Sequence, residues 1–445
     1  MTELRSIART RAVIVHPSVK TKPHTSALNG ELERHRSADS RLEETESLAD
    51  AIALEVVDAM VVAISEIRPS TYVGSGKVHE LAEQVKDAHA DLVIMDCALS
   101  PVQQRNLERA WKVKVIDRTG LILEIFGERA QTREGRLQVE LAHLTYQKSR
   151  LVRSWTHLER QRGARGAAGF LGGPGETQIE ADRRMIDERI KSLKKQLETV
   201  VRTRELQRRN RRRVPYPIVA LVGYTNAGKS TLFNRLTKAE VFADDLLFAT
   251  LDPTMRGLTL PSGKRIILSD TVGFISDLPT HLIAAFRATL EEVIEADVIV
   301  HVRDCSHPET RQQRRDVMDV LASLDVTDRD HRIVEVLNKV DLVADGEPIL
   351  GLSGEAIGPI LRMSALTGQG CDALLDLLDE ILSAEDTVMS VDLGYGDGAP
   401  LAWLYEHGEI LSRDDNDTGV HVSVRLAGKA RAQFERRYPE KVQLY

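Results

Sequence analysis

Hydrophobic positions change their spacing along the chain, and each spacing predicts a different architecture. Up to about Gly127, short apolar runs alternate with amphipathic stretches. Ala12–Val15, Ala59–Ile64, Leu92–Met95 and Val113–Ile116 read as strands. Helices are expected from Arg41, with Glu43 to Glu46 in the first turns, over Lys77–His89, and after Ser100–Pro101. Proline fits the first helical turn because its missing N–H has no partner there, so Ser100–Pro101 is a start signal. Strands separated by helices of this length predict a small α/β domain with a mainly parallel sheet, assigned to 1–134. The polar stretch after Val15, rich in Pro, His and Arg, reads as a mobile loop. No catalytic constellation is visible in this region.

From 135 to 213 the period becomes seven. Leu137, Leu144, Leu151 and Leu158 repeat, joined by Leu141 and Trp155. Ile179, Ile186, Leu193 and Val200 follow, joined by Ile190 and Leu197. Two successive heptad segments predict two helices zipped along one apolar seam, antiparallel because the connection is short. The first, of about 28 residues, would be roughly 40 Å long. Narrow seams and charged flanks favour a projecting hairpin over a helical core. Its tip, Gly163–Glu176, is rich in glycine, which loses more backbone freedom on ordering than any other residue.

Charge sharpens this reading. The chain carries a net charge of −7, yet Glu128–Arg213 holds 22 Lys and Arg against 11 Asp and Glu. Such asymmetry fits a polyanion-binding arm, although a solvated helical surface would also carry it. Arg162, Arg165, Arg183 and Arg184 flank the tip, and Phe170 and Leu171 offer stacking or wedging contacts. An RNA-touching loop is therefore expected, the plain alternative being a flexible turn. Arg208–Arg213 ends the second helix, where cations complement the helix dipole.

From Pro215 the chemistry becomes specific. A buried-strand pattern, Pro217–Gly223, runs into GxxxxGKS and then an amphipathic helix, which is the context a phosphate-binding loop needs. The nucleotide set there is Gly223, Tyr224, Thr225, Asn226, Ala227, Gly228, Lys229, Ser230 and Thr231. Backbone N–H groups at the helix amino terminus would wrap the phosphates, with Lys229 on the β/γ-phosphates and the Ser230 hydroxyl on Mg²⁺. Asp270, Thr271, Val272 and Gly273 form a DxxG switch, Asp270 holding Mg²⁺ through water and the Gly273 N–H sensing the γ-phosphate. Between them, Phe248, Ala249, Thr250, Leu251 and Asp252 make the first switch. Thr250 is its Mg²⁺- and γ-phosphate-contacting threonine, with Thr254 the competitor.

Asn338, Lys339, Val340 and Asp341 supply base selection, since the Asp341 carboxylate can accept from guanine N1–H and N2–H₂, which adenine lacks. Ser364, Ala365 and Leu366 suit a base-backing loop. Lys229, Thr250 and Gly273 are the expected catalytic residues, and Ser230, Thr250 and Asp270 the metal ligands. After DxxG stands Phe274 in place of a water-orienting glutamine, so slow intrinsic hydrolysis is expected, accelerated by a partner, another residue or a cation. Asn226 is a candidate ligand for K⁺, or a brace for the loop. His301 and His307 have no metal-ligand partners and read as ordinary structure. This P-loop GTPase domain spans 214–385.

Thr387–Tyr445 reads as a small α+β domain (386–445), with a helix in Ala399–Gly408 and a one-sided strand in Val420–Leu426. A length of 445 residues suits about three domains or more, and 42% hydrophobic residues can fill their cores. No apolar run reaches 18 residues, no secretory leader is apparent, and three scattered cysteines form no disulfide framework. A multidomain α/β protein in the cytoplasm is expected, with peripheral membrane association left open.

The domain order, Gly169–Arg184 (GFLGGPGETQIEADRR), GYTNAGKST, FATLDPT and DTVGFI together resemble the HflX family of translational GTPases, from about Ala12 to the carboxyl-terminal region. The polar insert around Val19–Ser40 departs from the pattern. The resemblance implies a Mg²⁺-dependent GTPase that cycles between GTP and GDP. It also implies binding to the large ribosomal subunit, through its RNA and proteins, and splitting of stalled ribosomes under stress. In that family the hairpin loop approaches the peptidyl-transferase centre, and members carry a hydrophobic residue at the Phe274 position and an asparagine like Asn226. A further ribosomal contact by the carboxyl-terminal module is implied. A monomer without DNA partners is expected. The rival readings are an RNA-remodelling NTPase using ATP or GTP, and a GTP-controlled scaffold for a protein partner.

Overall fold

The computed structural model describes residues 9–19, 37–162, 174–211, 216–238, 254–276, 287–327, 330–343, 358–384, 387–416, 419–426 and 428–441. The polar stretch expected to be a mobile loop falls mostly on 20–36, outside them.

The first sheet is parallel throughout, in order β2-β1-β3-β4: β1 (Arg11–Val19), β2 (Glu55–Ile64), β3 (Leu92–Met95) and β4 (Lys114–Asp117). Successive strand residues point to opposite faces. Ala12 and Ile14 therefore pack with α1 (Ala38–Asp50) and α4 (Arg118–Arg129), through Leu48, Ile122 and Phe126. Val13 and Val15 face α2 (Ser75–Asp87) and α3 (Pro101–Trp111), through Leu81, Leu107 and Trp111. Ser100 caps α3 in a reciprocal capping box with Gln103, with Pro101 in the first turn as expected. Helix α4, which no one-sided apolar pattern marks, starts directly at the end of β4, where the Asp117 side chain accepts from Gly120 N–H.

Two long helices follow, α5 (Arg133–Arg162) and α6 (Pro174–Arg211). They cross-link through Glu140–Arg189 at 2.7 Å and through Lys148–Asp187. Leu137 and Leu193 are buried, whereas Ile186, Ile190, Leu197 and Val200 are half-buried, the mark of a two-helix seam and not of a full core. The tip expected over 163–176 is corrected at its far end: Pro174 opens α6, because proline's fixed φ suits a first helical turn. The remainder of the tip, 163–173, with Arg165, Phe170 and Leu171, lies outside the described residues.

The second sheet has order β10-β9-β8-β5-β7-β6. Its strands are β5 (Ile218–Gly223), β6 (Thr254–Thr259), β7 (Arg265–Asp270), β8 (Val298–Asp304), β9 (Ile333–Asn338) and β10 (Ile360–Arg362). Only β6 runs antiparallel. Helices α7 (Lys229–Thr237) and α10 (Cys371–Ser383) cover one face, α8 (Arg287–Ile294) and α9 (Thr310–Ala322) the other. Covered on both sides, the central strands are continuous apolar runs, as burial of both faces demands. A third, antiparallel sheet joins β11 (Thr387–Leu393), β13 (Gly419–Leu426) and β12 (Glu409–Asn416). Its inner residues Val420, Val422, Val424 and Leu426 pack on Trp403 and Leu404 of α11 (Gly398–His407) and on Phe434 of α12 (Gly428–Arg437).

Two features place the site. The carboxyl ends of β5, β7 and β9 converge, where ligands of open α/β sheets bind. The α1–α4 side of the first sheet also shares one continuous apolar core with Phe274, Ile275, Leu290 and Val293 of the second unit. Among the described residues no helix is long and apolar enough to cross a membrane.

Candidate nucleotide site

Strand β5 ends at Gly223, and the chain turns through Asn226 at φ +57° and Gly228 at φ +91° before α7 begins. A Cβ on Gly223 would lie 2.2 Å from the Val302 carbonyl oxygen, so only glycine lets the loop leave the sheet this close to β8. Lys229 opens α7 and is buried. Its ammonium donates to the carbonyl oxygens of Gly223, at 3.1 Å, and Tyr224, at 2.8 Å. Burial lowers its pKa to about 8, partly opposed by Asp270. A desolvated cation at the start of a helix, where backbone N–H groups have no intrahelical partners, suits an anion.

Asp270 ends β7 fully buried, and the Ser230 hydroxyl donates to its Oδ2 at 2.7 Å. Thr271 donates its hydroxyl to the Leu221 carbonyl at 2.7 Å, tying the switch to β5, and Val272 is buried beside it. At Gly273 a Cβ would stand 2.9 Å from Thr225 Cγ2 and 3.2 Å from Lys229 Nζ, so the bare backbone approaches the lysine as no side chain could. Phe274 pairs with the loop in a parallel bridge: its N–H donates to Gly223 at 3.1 Å, and its carbonyl accepts from Thr225 at 2.8 Å. The Phe274 ring is buried in the shared core. Thr254 lies opposite Asp270 in the β6–β7 register. Phe248, Ala249, Thr250, Leu251 and Asp252 lie outside the described residues.

The base-selecting end is joined to the loop by one side chain. Asn338, buried at the end of β9, donates from Nδ2 to the Ala227 carbonyl at 2.8 Å and accepts on Oδ1 from the Ala365 N–H at 2.8 Å. Lys339 takes φ +65° and pairs with Asp304 at 2.8 Å. Val340 starts a single 3₁₀ turn that leaves Asp341 exposed. Ser364 is buried and accepts from Thr367 N–H at 3.0 Å, while Leu366 is exposed. Arg235 of α7 donates to the carbonyls of Ala365, at 2.6 Å, and Leu366. Four segments far apart in sequence thus meet around one cleft.

Four family descriptions match the chain in order: GTP-binding GTPase N-terminal over 39–127, GTP-binding GTPase Middle Region over 129–211, 50S ribosome-binding GTPase over 218–339, and HflX C-terminal domain over 354–443. The GTPase HflX of Magnetococcus marinus is 49% identical over 399 residues, covering 89% of this chain and 91% of that one. The GTPase HflX of Escherichia coli is 47% identical over 389 residues, covering 86% and 89%. The chain belongs to the HflX family. A GTP-binding protein from Sulfolobus solfataricus, solved with GDP, also matches at 23% identity and a TM-score of 0.43, covering 84% of this chain and 98% of that one. This HflX-family chain is a GTP-hydrolysing P-loop enzyme with a ribosome-binding type of GTPase domain, and GTP and GDP are its nucleotides.

In this HflX-family GTPase two features of the site escaped sequence reading. The Tyr224 hydroxyl leaves the nucleotide cleft, donates to Glu44 of α1 and accepts from the Ser276 N–H at 2.9 Å. No local pattern announces that contact, since Glu44 reads as one more charge in a helix start. His301, on β8, is fully buried with neither ring nitrogen hydrogen-bonded, and burial, first among several causes, depresses its pKa to about 3.

Proposed function

We propose that this GTPase couples its nucleotide state to docking on the large ribosomal subunit, and that its task is to split or rescue stalled ribosomes. Lys229 and the N–H groups from Asn226 to Ser230 hold the phosphates, and Gly273 reports the γ-phosphate. Thr250 completes the first switch. Asp341 selects guanine, with Asn338 fixing the distance between base and phosphates.

The oxygen donors Ser230 and Asp270, in contact with one another and one of them fully buried, fit Mg²⁺, which needs few protein ligands when phosphates supply the rest. Bound there, Mg²⁺ would neutralise charge on the phosphate oxygens. Asn226, exposed at a positive φ in the loop, suits K⁺. Hydrolysis is attack by water in line with the bond to the leaving GDP. With Phe274 turned into the core, the side chain after Gly273 does not orient that water, so acceleration falls to the docked partner, another residue or a cation.

The observation that supports this reading is the close approach of Gly273 to Lys229, which would let a γ-phosphate on the lysine act on the segment leading out of the site. The basic hairpin supports the RNA end of the reading, its excess of Lys and Arg suiting a phosphate backbone. Co-sedimentation tests it: the purified chain with a non-hydrolysable GTP analogue should pellet with large ribosomal subunits, and with GDP it should not. Equal pelleting with both nucleotides refutes the coupling.

A further inference from the structure

The contacts of Tyr224 extend into a buried polar cluster that nothing in nucleotide chemistry requires. Glu44 of α1, itself nearly buried, accepts from three donors: the Tyr224 hydroxyl on Oε1, and the Ser276 hydroxyl (2.9 Å) and Arg118 guanidinium on Oε2. Arg118, the first residue of α4, also donates to the Ser276 hydroxyl at 2.9 Å, to Thr45 at 3.2 Å and to Asp96 at 2.7 Å. Asp96 ends in contact with His16 at 2.7 Å. Burial by itself would raise the Asp96 carboxyl, but His16, Arg118 and Arg41 outweigh it and hold the group well below the usual carboxylate range. Asp96 is therefore ionised and held in place.

Its location follows from topology. In the order β2-β1-β3-β4, successive strands are added first on one side of β1 and then on the other, and the crevice outside the carboxyl ends of the parallel strands at such a switch point is where open α/β sheets take ligands. His16 and Asp96 stand at that point, and the crevice here grips Ser276, six residues beyond Asp270.

The residue next to Arg118 faces the other way. Asp117 accepts from the Tyr146 hydroxyl and from Arg150, both at 2.5 Å and both on α5, while also capping α4. Arg150 lies over the Tyr146 ring, 4.1 Å from its centroid. Two adjacent residues at one strand end thus hold two distant parts: Asp117 the base of the helical hairpin, Arg118 the second switch.

We propose that Arg118 and Glu44 are positioning residues for switch II, and that the Asp117–Arg118 pair transmits switch movement to the hairpin. Displacing the Asp270–Ser276 segment pulls on Ser276, whose hydroxyl is bound by both Glu44 and Arg118. Because the guanidinium is a rigid fork already committed to Asp96 and Thr45, α4 and the end of β4 must follow or release it. Either response changes the anchorage of Tyr146 and Arg150. By thermodynamic reciprocity, force on the hairpin must also act on the switch. This inference rests on the nucleotide-switch reading above but not on ribosome binding.

Hydrogen–deuterium exchange on the full chain, loaded with GDP or with a non-hydrolysable GTP analogue, tests it. In the parent protein the change of nucleotide should alter exchange both in 270–276 and at the hairpin base, 133–150. Ser276→Ala, which deletes only an oxygen, should keep the response in 270–276 and lose that at the hairpin base. GDP affinity should stay within about threefold. Arg118→Met should behave likewise, and Ser276→Ala carries the test should that variant fail to fold. A hairpin-base response that persists in Ser276→Ala, or that is missing from the parent while 270–276 responds, overturns the inference. No response in 270–276 of the parent overturns the switch reading itself, and this inference with it.

Discussion

Two glycines of the GTPase unit offer a matched experiment. Gly228 and Gly263 both sit at φ +91°, a conformation disfavoured for any residue with a Cβ. They differ in surroundings: a Cβ on Gly263, in the turn between β6 and β7, meets nothing within 4 Å, whereas one on Gly228 would lie 2.3 Å from Asn338 Nδ2. Gly263→Ala should therefore report the backbone cost alone, about 1–2 kcal/mol of strain. Reduced unfolded-state freedom offsets about 0.4–1 kcal/mol of that. Gly228→Ala should add displacement of Asn338, whose amide would lose Ala227 and loosen from Ala365. An unsatisfied buried partner costs about 1–3 kcal/mol, and the second bond about 1 kcal/mol more. Because this loss falls on the link between phosphate loop and base loop, nucleotide affinity should drop by roughly 30- to 1000-fold. Titration of a fluorescent GDP analogue, with thermal unfolding of both variants, reads the two effects separately. Gly228→Ala binding GDP within threefold of the parent, or Gly263→Ala losing as much affinity, would refute the assignment of Asn338 as the linking pin.

Three further outcomes follow from the same geometry. Asp341→Asn should shift preference from guanine to xanthine nucleotides in competition binding, and an unchanged GTP preference would remove Asp341 from base selection. Phe274→Gln should not speed intrinsic hydrolysis, because that side chain faces the core; burying an amide in place of the ring should cost about 2–4 kcal/mol of stability. A tenfold faster turnover in that variant would show that the segment presents residue 274 to the cleft. His301 titrates at about 3 in the folded chain against an ordinary 6.5, so below pH 6.5 the unfolded chain takes up a proton that the native one refuses. Stability should fall by about 2 kcal/mol between pH 6.5 and pH 5 from this group, and His301→Leu should remove that slope in urea unfolding at the two pH values. An identical slope in the variant would place the pH dependence elsewhere.

The nucleotide cleft was legible in the sequence because its geometry is local. Gly223, Gly228, Lys229 and Ser230 fall within one turn of chain, and buried-strand patterns placed Asp270 and Asn338 at strand ends, where the structure has them. The parallel first sheet was legible for the same reason: each strand–helix unit announces itself through its own apolar period. What could not be read was long-range polar matching. Glu44 and Ser276 are 232 residues apart, and Arg118 and Ser276 are 158 apart. A serine, a glutamate and an arginine carry no period, and any of them would be as ordinary on the surface. Helix α4 was overlooked because seven of its residues, including Arg118 and Thr119, are buried, which erases the one-sided pattern that marks a surface helix. Phe274 was recognised as a departure, but its inward orientation required the pairing of its backbone with Gly223 and Thr225.

Beyond Arg150, which Asp117 holds, α5 (Arg133–Arg162) continues unbroken to Arg162, an arm of roughly 18 Å at 1.5 Å per residue. A rod of that length is a mechanical amplifier. Tilting it by about ten degrees at the fulcrum sweeps the far end through about 3 Å, the reach of a hydrogen bond. A displacement at the fulcrum is thus enlarged at the far end of the helix.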